Sequence, residues 1–267
     1  MIVYEDASLT IFQSALYQTN SLIYNAASFI LLVDPNWLST EVQFIRDYVD
    51  LKHKGKAVYI LFTHSDFDHI LGYGLFPEAK VIASERFQNS ISKEKVIEEI
   101  HSFDQQHYIK RAYPITYPEV DLIISKDGEQ LSIEGERFTF YLSPGHTNDG
   151  LFTIIESAGI FISGDYLSDL EFPFIYHNIG DYENTLRKVD TILQSHLIHL
   201  MIPGHGNYIK DKNSEILVRR DRDLRYIQDL KNSIKNKTPF PLANWLRQFP
   251  YPDGLKEEHF RNEKLGI

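Results

Sequence analysis

The sequence predicts an α/β fold, in which short buried strands alternate with helices along the chain. Three observations support this fold class. Short apolar runs recur and end in turns or polar residues, and longer segments between them repeat apolar residues at helical spacing. With 43% hydrophobic and 13% aromatic residues, the 267-residue chain can also bury a large core.

The first half of the chain contains two apolar runs that predict strands buried on both faces. Residues 28–33 form the first run, which ends at the turn of residues 34–35, and residues 57–63 form the second. Residues 42–51 and 93–109 carry apolar residues at helical spacing. Strand and helix therefore already alternate in this half.

The second half continues the same alternation. Strands are predicted at residues 121–125, 127–133, 137–143, 151–155, 159–164 and 198–202, and helices at residues 182–197 and 214–236. The last helix carries six basic side chains, which are Arg219, Arg220, Arg222, Arg225, Lys231 and Lys235. Its arginines are expected to form a solvated face over an apolar seam of Leu217, Leu224, Ile227 and Ile234. Binding of an anionic substrate by this helix is the alternative.

Composition and charge exclude several classes of function. A formal net charge of −10 disfavours broad electrostatic binding to nucleic acid or to an anionic membrane, so a small-molecule substrate is expected. The absence of cysteine excludes disulfides, thiolate metal sites and cysteine nucleophiles. Residues 1–10 lack the segments of a secretion signal, and a cytoplasmic protein of one domain, residues 1–267, is expected. The sequence leaves open whether the chain forms a homo-oligomer.

Histidine and aspartate residues follow four of the predicted apolar strands. They occur at residues 64–69, at His146, at Asp165 and at His205, each beside glycine or another residue of ligand type. Because the carboxyl ends of strands in layered α/β proteins meet at one sheet edge, these side chains are expected to converge. Imidazole and carboxylate donors without thiolate suit Zn²⁺, Fe or Mn²⁺.

The order of four motifs resembles that of the metallo-β-lactamase superfamily of binuclear metallohydrolases. The motifs are His-x-Asp-x-Asp-His (64–69), Ser-Pro-Gly-His-Thr (143–147), Ser-Gly-Asp (163–165) and Pro-Gly-His-Gly (203–206). The resemblance covers about residues 20–210. It implies a four-layer αβ/βα sandwich of two mixed β-sheets flanked by helices, with metals at one edge. A C-terminal helical extension at about residues 211–267 would follow.

The resemblance also implies two divalent metal ions and a role for each motif residue. The first ion would be held by His64, Asp66 and His146, the second by Asp68, His69 and His205, and Asp165 would bridge them. A hydroxide bound to the metals would attack a small ester, lactone, thioester or phosphoester, with Asp68 and Asp165 counted among the catalytic residues. The resemblance thus implies a metal-dependent hydrolase, with zinc as the first expectation.

Asp66 departs from the commonest family pattern, which has histidine at this position. With Asp66, Asp68 and Asp165 ionised, three negative charges and a bridging hydroxide balance two divalent cations. The neutral site is expected to be a weaker Lewis acid and to shift metal preference from Zn²⁺ toward Fe or Mn²⁺. Because aspartate is short, two alternatives stay open: a single metal at the second site, or an Asp66 that only orients His64 or a water.

Tyr166 and His177 follow the third motif and are candidate catalytic residues, as proton donors or oxyanion ligands. Packing is the alternative for both. Two other functions compete with hydrolysis. One is an iron-containing redox protein related to flavodiiron proteins, suggested by the carboxylate at position 66, and the other is a non-catalytic metal-binding module. Nucleases are disfavoured, because the short gaps between the late motifs leave no room for an inserted nucleic-acid clamp.

Overall fold

A seven-stranded mixed sheet forms the centre of the first part of the chain. The computed structural model describes residues 1–265 and contains two compact units, an N-terminal unit (Met1–Tyr141) and a C-terminal unit that begins at Leu142. The N-terminal sheet contains, in spatial order, β1 (Ile2–Glu5), β2 (Leu9–Gln13), β3 (Asn20–Asn25), β4 (Phe29–Val33), β5 (Ala57–Leu61), β6 (Lys80–Ser84) and β7 (Leu122–Ile124). Strands β1 to β4 pair antiparallel, and β4 to β7 pair parallel.

Helices cover the apolar core of this sheet. They are α1 (Ser39–Lys52), α2 (Phe67–Ile70), a 3₁₀ turn (Tyr73–Leu75), α3 (Glu85–Gln88) and α4 (Lys93–Gln106). Val42 and Ile45 of α1 and Ile100 of α4 belong to one buried cluster with the strand residues Ile30 and Ile60. Each such side chain stabilises the fold by about 1.5–3 kcal/mol through burial. The apolar runs of β4 and β5 arise because parallel strands are covered on both faces.

A hairpin completes the N-terminal unit. Strands β8 (Glu129–Ile133) and β9 (Glu136–Leu142) pair antiparallel around a turn at Glu134 and Gly135, both of which have positive φ. The Phe138 ring of β9 lies 6.3 Å from the Phe29 ring of β4. The hairpin is thus joined to the large sheet by aromatic packing.

The C-terminal unit contains four strands of the second sheet and four helices. The strands are β10 (Leu151–Ile155), β11 (Ile160–Ile162), β12 (Leu200–Ile202) and β13 (Ile209–Lys210), and the helices are α5 (Ile179–Ser195), α6 (Asn213–Asn236), α7 (Leu242–Leu246) and α8 (Pro252–Glu263). The spatial order is β13-β12-β11-β10. Strands β11 and β12 are parallel, and α5 lies between them in the chain, whereas the other pairs are antiparallel.

The predicted α/β class with two mixed sheets flanked by helices is confirmed. Helix α5 begins at Ile179, three residues before the predicted start, because the Asn178 side chain accepts a hydrogen bond from Asp181 N–H and caps the helix. Among residues 1–265, no helix combines the length and the apolar character that crossing a bilayer requires.

Helix α6 differs from the predicted solvated arginine face. Arg219 is buried, with 6% exposure, and donates to the carbonyl oxygens of Leu167 at 3.0 Å and Asn207 at 2.9 Å. The buried positions of the helix are Ile216, Arg219, Asp223, Tyr226, Ile227, Leu230 and Ser233, whereas Leu217, Leu224 and Ile234 of the predicted seam are only half-buried. The prediction was wrong for Arg219 because buried loop carbonyls need hydrogen-bond donors, which this guanidinium supplies.

Asp223 on α6 makes stability depend on pH. Burial raises the pKa of Asp223 from 3.8 to about 6, although the Arg222 guanidinium partly offsets the effect of burial. The folded chain therefore binds more protons than the unfolded chain between about pH 4 and pH 6, so stability falls as pH rises through this range. The difference in unfolding free energy between Asp223→Asn and wild type is therefore expected to change by about 3 kcal/mol in favour of the variant as the pH rises from 4 to 7.5.

Urea unfolding at several pH values measures this difference. Asp221→Asn is the matched control, because Asp221 is an exposed carboxylate on the same helix. The control should show no pH-dependent gain. A stability difference between Asp223→Asn and wild type that stays constant with pH would contradict the prediction.

Candidate metal centre

The loop after β5 holds four of the predicted ligands in the N-terminal unit. His64 lies in the loop itself, Asp66 is the N-cap residue of the short helix α2, and Asp68 and His69 lie within that helix. His64 Nε2 lies 3.8 Å from Asp66 Oδ2, and His69 Nε2 lies 3.5 Å from Asp68 Oδ2. The two imidazole rings are 4.1 Å apart and buried, while both carboxylates are partly exposed. The motif thus brings two nitrogen and two oxygen donors together.

Asp34 fixes the orientation of both histidines in this loop. It follows β4, which pairs in parallel with β5, so its carboxylate faces the residues after β5. Asp34 Oδ1 accepts from Thr63 N–H at 2.9 Å, and Oδ2 accepts from the Thr63 hydroxyl at 2.6 Å. Oδ2 also lies 2.9 Å from His69 Nδ1. Because a carboxylate only accepts, His69 carries its proton on Nδ1, and its Nε2 lone pair is directed toward Asp68.

The same network sets the protonation of His64. The Thr63 hydroxyl donates its hydrogen to Asp34, so its oxygen accepts at 3.0 Å from His64 Nδ1. His64 therefore also carries its proton on Nδ1 and presents an Nε2 lone pair. The sequence identified Asp34 only as the end of a strand. Its acidic character beside the turn of residues 34–35 was the available signal for this role.

The C-terminal unit brings the three other predicted ligands together. Asp165 follows β11, and its Oδ2 lies 3.3 Å from His146 Nε2 and 3.2 Å from His205 Nε2. All three residues are buried. One carboxylate thus faces two imidazole nitrogens, and such a group can hold a cation through nitrogen and oxygen donors.

His146 is held from three sides. Its Nδ1–H donates to the carbonyl oxygen of Phe174 at 2.7 Å, which leaves the Nε2 lone pair toward Asp165. Its backbone N–H donates to the Tyr166 hydroxyl at 3.0 Å, and its carbonyl accepts from Tyr176 N–H at 2.9 Å. The ring position and its tautomer are therefore both defined by the protein.

Two motif glycines are required because atoms of other residues approach their Cα atoms too closely for a side chain. Gly145 has a φ of +134°, and a Cβ there would lie 2.3 Å from the Cα of Tyr182 on α5. A Cβ at Gly204 would lie 2.0 Å from Asp165 Oδ1. Gly204 therefore leaves room for the ligand carboxylate, and Gly145 lets the His146 loop approach the helix.

Tyr166 and His177, the two predicted catalytic residues outside the ligand set, lie in different environments. Tyr166 is buried, and its hydroxyl lies 2.9 Å from the Pro144 carbonyl oxygen while it accepts from His146 N–H. Burial raises the pKa of Tyr166 well above its usual range, so the hydroxyl stays protonated. His177 is exposed, with Nε2 3.4 Å from Asp181 Oδ2. The structure does not test either catalytic role, and both stay predictions.

The donors present fit a divalent metal. Within the N-terminal unit, a ligand atom of His64 lies within 4.8 Å of one of Asp66, and a ligand atom of Asp68 lies within 4.8 Å of one of His69. The same limit holds for His146 and Asp165 in the C-terminal unit. Imidazole and carboxylate groups without thiolate suit Zn²⁺, Fe and Mn²⁺, and ordered Nδ1 atoms are typical of histidines that bind metal through Nε2.

The chain is similar in sequence to proteins of one known family. The family model described as "Metallo-beta-lactamase superfamily" matches residues 16–205. The chain is also similar to an atrochrysone carboxyl ACP thioesterase of Aspergillus fumigatus, with 23% identity over 228 residues. That match includes 84% of this chain and 62% of the thioesterase, so the chain spans less than two thirds of that relative's length.

Solved structures share the fold. A metallo-beta-lactamase family protein from Thermus thermophilus has a TM-score of 0.64 at 19% identity, with 96% of this chain and 90% of that chain covered. A metallo-beta-lactamase from Pontibacter korlensis has a TM-score of 0.59 at 13% identity, over 83% and 98%. An inverting sec-alkylsulfatase from Pseudomonas sp. has a TM-score of 0.64 at 14% identity, over 99% and 45%. At these identities the likeness concerns the fold alone.

Proposed function

The chain belongs to the metallo-beta-lactamase superfamily, and we propose that it is a metal-dependent hydrolase of a small ester, lactone, thioester or phosphoester. The observation that carries the proposal is the fixed orientation of three histidines. His64, His69 and His146 each have Nδ1 engaged by another protein group while Nε2 lies near a carboxylate. This arrangement orders nitrogen lone pairs for a cation, which packing alone does not require.

On this proposal, the seven side chains of the family pattern would hold two divalent ions. In the N-terminal unit His64, Asp66, Asp68 and His69 would be ligands, and in the C-terminal unit His146, Asp165 and His205 would be, as the family pattern assigns them. The assignment is carried over from the family pattern. It is supported by the distances within each unit, above all by the placement of Asp165 Oδ2 near the Nε2 atoms of His146 and His205.

Divalent ions at such a site supply Lewis acidity and lower the pKa of coordinated water. The protein supplies the remaining elements of catalysis. Its carboxylates balance the charge of the cations, and its ordered imidazoles keep the ligand geometry unchanged when substrate binds. Thioesters are the first substrate class to test, because the curated relative is named a thioesterase.

Metal removal tests the proposal directly. Purified protein is expected to carry about two equivalents of divalent metal and to lose hydrolysis after treatment with a chelator, because the proposed chemistry would require the Lewis acidity of bound metal. Metal content is measured by mass spectrometry. Turnover is measured on a panel of acyl thioesters, lactones and phosphodiesters. Return of turnover on addition of Zn²⁺, Mn²⁺ or Fe²⁺ is the control for irreversible damage. Full turnover by metal-free protein would contradict the proposal.

Asp66 is expected to set the metal preference. Asp66→His replaces a carboxylate by a neutral imidazole, which adds one positive charge and a softer donor. The ratio of Zn²⁺ to Mn²⁺ affinity is therefore expected to rise about tenfold, as measured by competition between the two ions. Asp47→His on the exposed face of α1 is the control for an added imidazole. An unchanged ratio would indicate that Asp66 does not bind the metal.

A further inference from the structure

Helix α8 carries a fully buried amide that lies outside the residues matched by the family model. Asn262 has 0% exposure, and the matched residues end at 205. Its Oδ1 accepts from Ile175 N–H at 3.1 Å, and its Nδ2 donates to the Pro173 carbonyl oxygen at 2.7 Å. The same Nδ2 donates to the Tyr226 hydroxyl at 3.1 Å. The side chain therefore binds the main chain on both sides of Phe174.

The Tyr226 hydroxyl holds the Asn262 amide in place. Because its hydroxyl oxygen accepts from Asn262, its hydrogen is directed to His259 Nδ1, 2.9 Å away. Both amide protons and the carbonyl oxygen of Asn262 are thus used, and the Asn262 side chain is held in one orientation.

The segment that Asn262 holds is the segment that orients His146. The carbonyl oxygen of Phe174 accepts from His146 Nδ1 at 2.7 Å, and Tyr176 N–H donates to the His146 carbonyl oxygen at 2.9 Å. The Tyr176 ring also lies 4.9 Å from the His146 ring. Arg261, next to Asn262, places its guanidinium 5.0 Å from the Tyr176 ring centroid. Arg261 therefore contacts a residue that contacts His146, and Asn262 binds the two residues that flank Phe174.

We propose that Asn262 is a positioning residue for His146, through which helix α8 controls metal binding at the first site. The inference rests on the proposed metal centre. Hydrogen bonds to Pro173 and Ile175 fix the two peptide units that flank Phe174, and the direction of the Phe174 carbonyl sets the rotation of the His146 ring. Without Asn262, this carbonyl is free to turn, and the Nε2 lone pair of His146 loses its fixed direction.

The test is the Zn²⁺ affinity of Asn262→Ala, measured by competition with a chromophoric chelator. One of the two Zn²⁺ sites is expected to weaken about tenfold, which is the lower end of the effect for groups that orient metal ligands. The other site is expected to change less than twofold. Equal affinities in the variant and in wild type would overturn the inference, as would equal losses at both sites.

Leu255→Ala is the matched control. Leu255 is buried on the same helix, so its truncation is expected to lower the stability of the fold while the Asn262 hydrogen bonds remain. This control should bind Zn²⁺ like wild type, and a site-selective loss in it equal to that of Asn262→Ala would overturn the inference. If Asn262→Ala does not fold, Asn262→Asp replaces it, because a carboxylate still accepts from Ile175 N–H but lacks both amide donors.

The failure of this inference and the failure of the proposed function give different results. A wild-type chain that binds no Zn²⁺ would overturn the proposed function itself. Normal Zn²⁺ binding by wild type, with no effect of either Asn262 variant, would overturn only the role of Asn262.

Discussion

Replacement of Asp165 by asparagine is expected to lower kcat/KM about a thousandfold, which corresponds to about 4 kcal/mol of transition-state stabilisation. Asp165 Oδ2 lies within 3.3 Å of both the His146 and the His205 Nε2 atoms, so a cation held by either imidazole is also near this carboxylate. Asparagine keeps the shape but removes the negative charge. The bound metal is expected to fall from about two equivalents toward one, as measured by mass spectrometry on protein purified without added metal.

Asp190→Asn is the control for this substitution. Asp190 is half-exposed on α5 and pairs with Arg220, so its change removes one charge from the same unit without touching the ligand set. Its metal content and kcat/KM should equal those of wild type. An Asp165→Asn variant with unchanged metal content and unchanged turnover would exclude Asp165 from the centre.

Asp34→Asn is expected to weaken metal binding about 10- to 100-fold, although Asp34 itself is not in the proposed ligand set. Its carboxylate accepts from Thr63 N–H, from the Thr63 hydroxyl and from His69 Nδ1–H. An amide has one acceptor oxygen and would turn an N–H group toward one of these donors. The free energy of unfolding is therefore also expected to fall by about 1–3 kcal/mol, because buried donors lose their acceptor.

Thr63→Val separates the two branches of this network. It removes the hydroxyl that accepts from His64 Nδ1 but keeps the Asp34 contact to His69. In a competition titration, we expect Thr63→Val to lose less Zn²⁺ affinity than Asp34→Asn does. The loss should be confined to one of the two sites. Equal losses at both sites in the two variants would show that Asp34 acts through general stability rather than through two separate histidines.

The position of most strands and helices could be read from the sequence because each signal is local. Apolar runs such as residues 151–155 match β10 residue by residue, and the spacing of apolar residues placed α1, α4 and α5 within a few residues. Local patterns determine which side of an element is buried, since burial follows the period of the backbone. The candidate ligand residues were also identified from the sequence, because each lies shortly after a strand or within one short motif.

Arg219 and Asp34 show where local patterns fail. A basic residue on an amphipathic helix is most often solvated, and only the loop packed on α6 makes Arg219 a buried donor. The role of Asp34 requires the parallel register in which Val33 pairs with Leu61. Both facts depend on which segments become neighbours in space, and neither has a spacing that the sequence displays.

The sequence by itself determined the fold class, the family and the residue types of the candidate metal centre, because strand ends and their imidazole and carboxylate groups follow one another along the chain. Only the tertiary structure decided how the histidines are held. The proton of His69 is placed by Asp34, and the ring of His146 by a segment that Asn262 binds from the last helix. Hydrogen bonds between residues far apart in the chain are fixed by packing, and packing is a property of the folded molecule rather than of any one stretch of sequence.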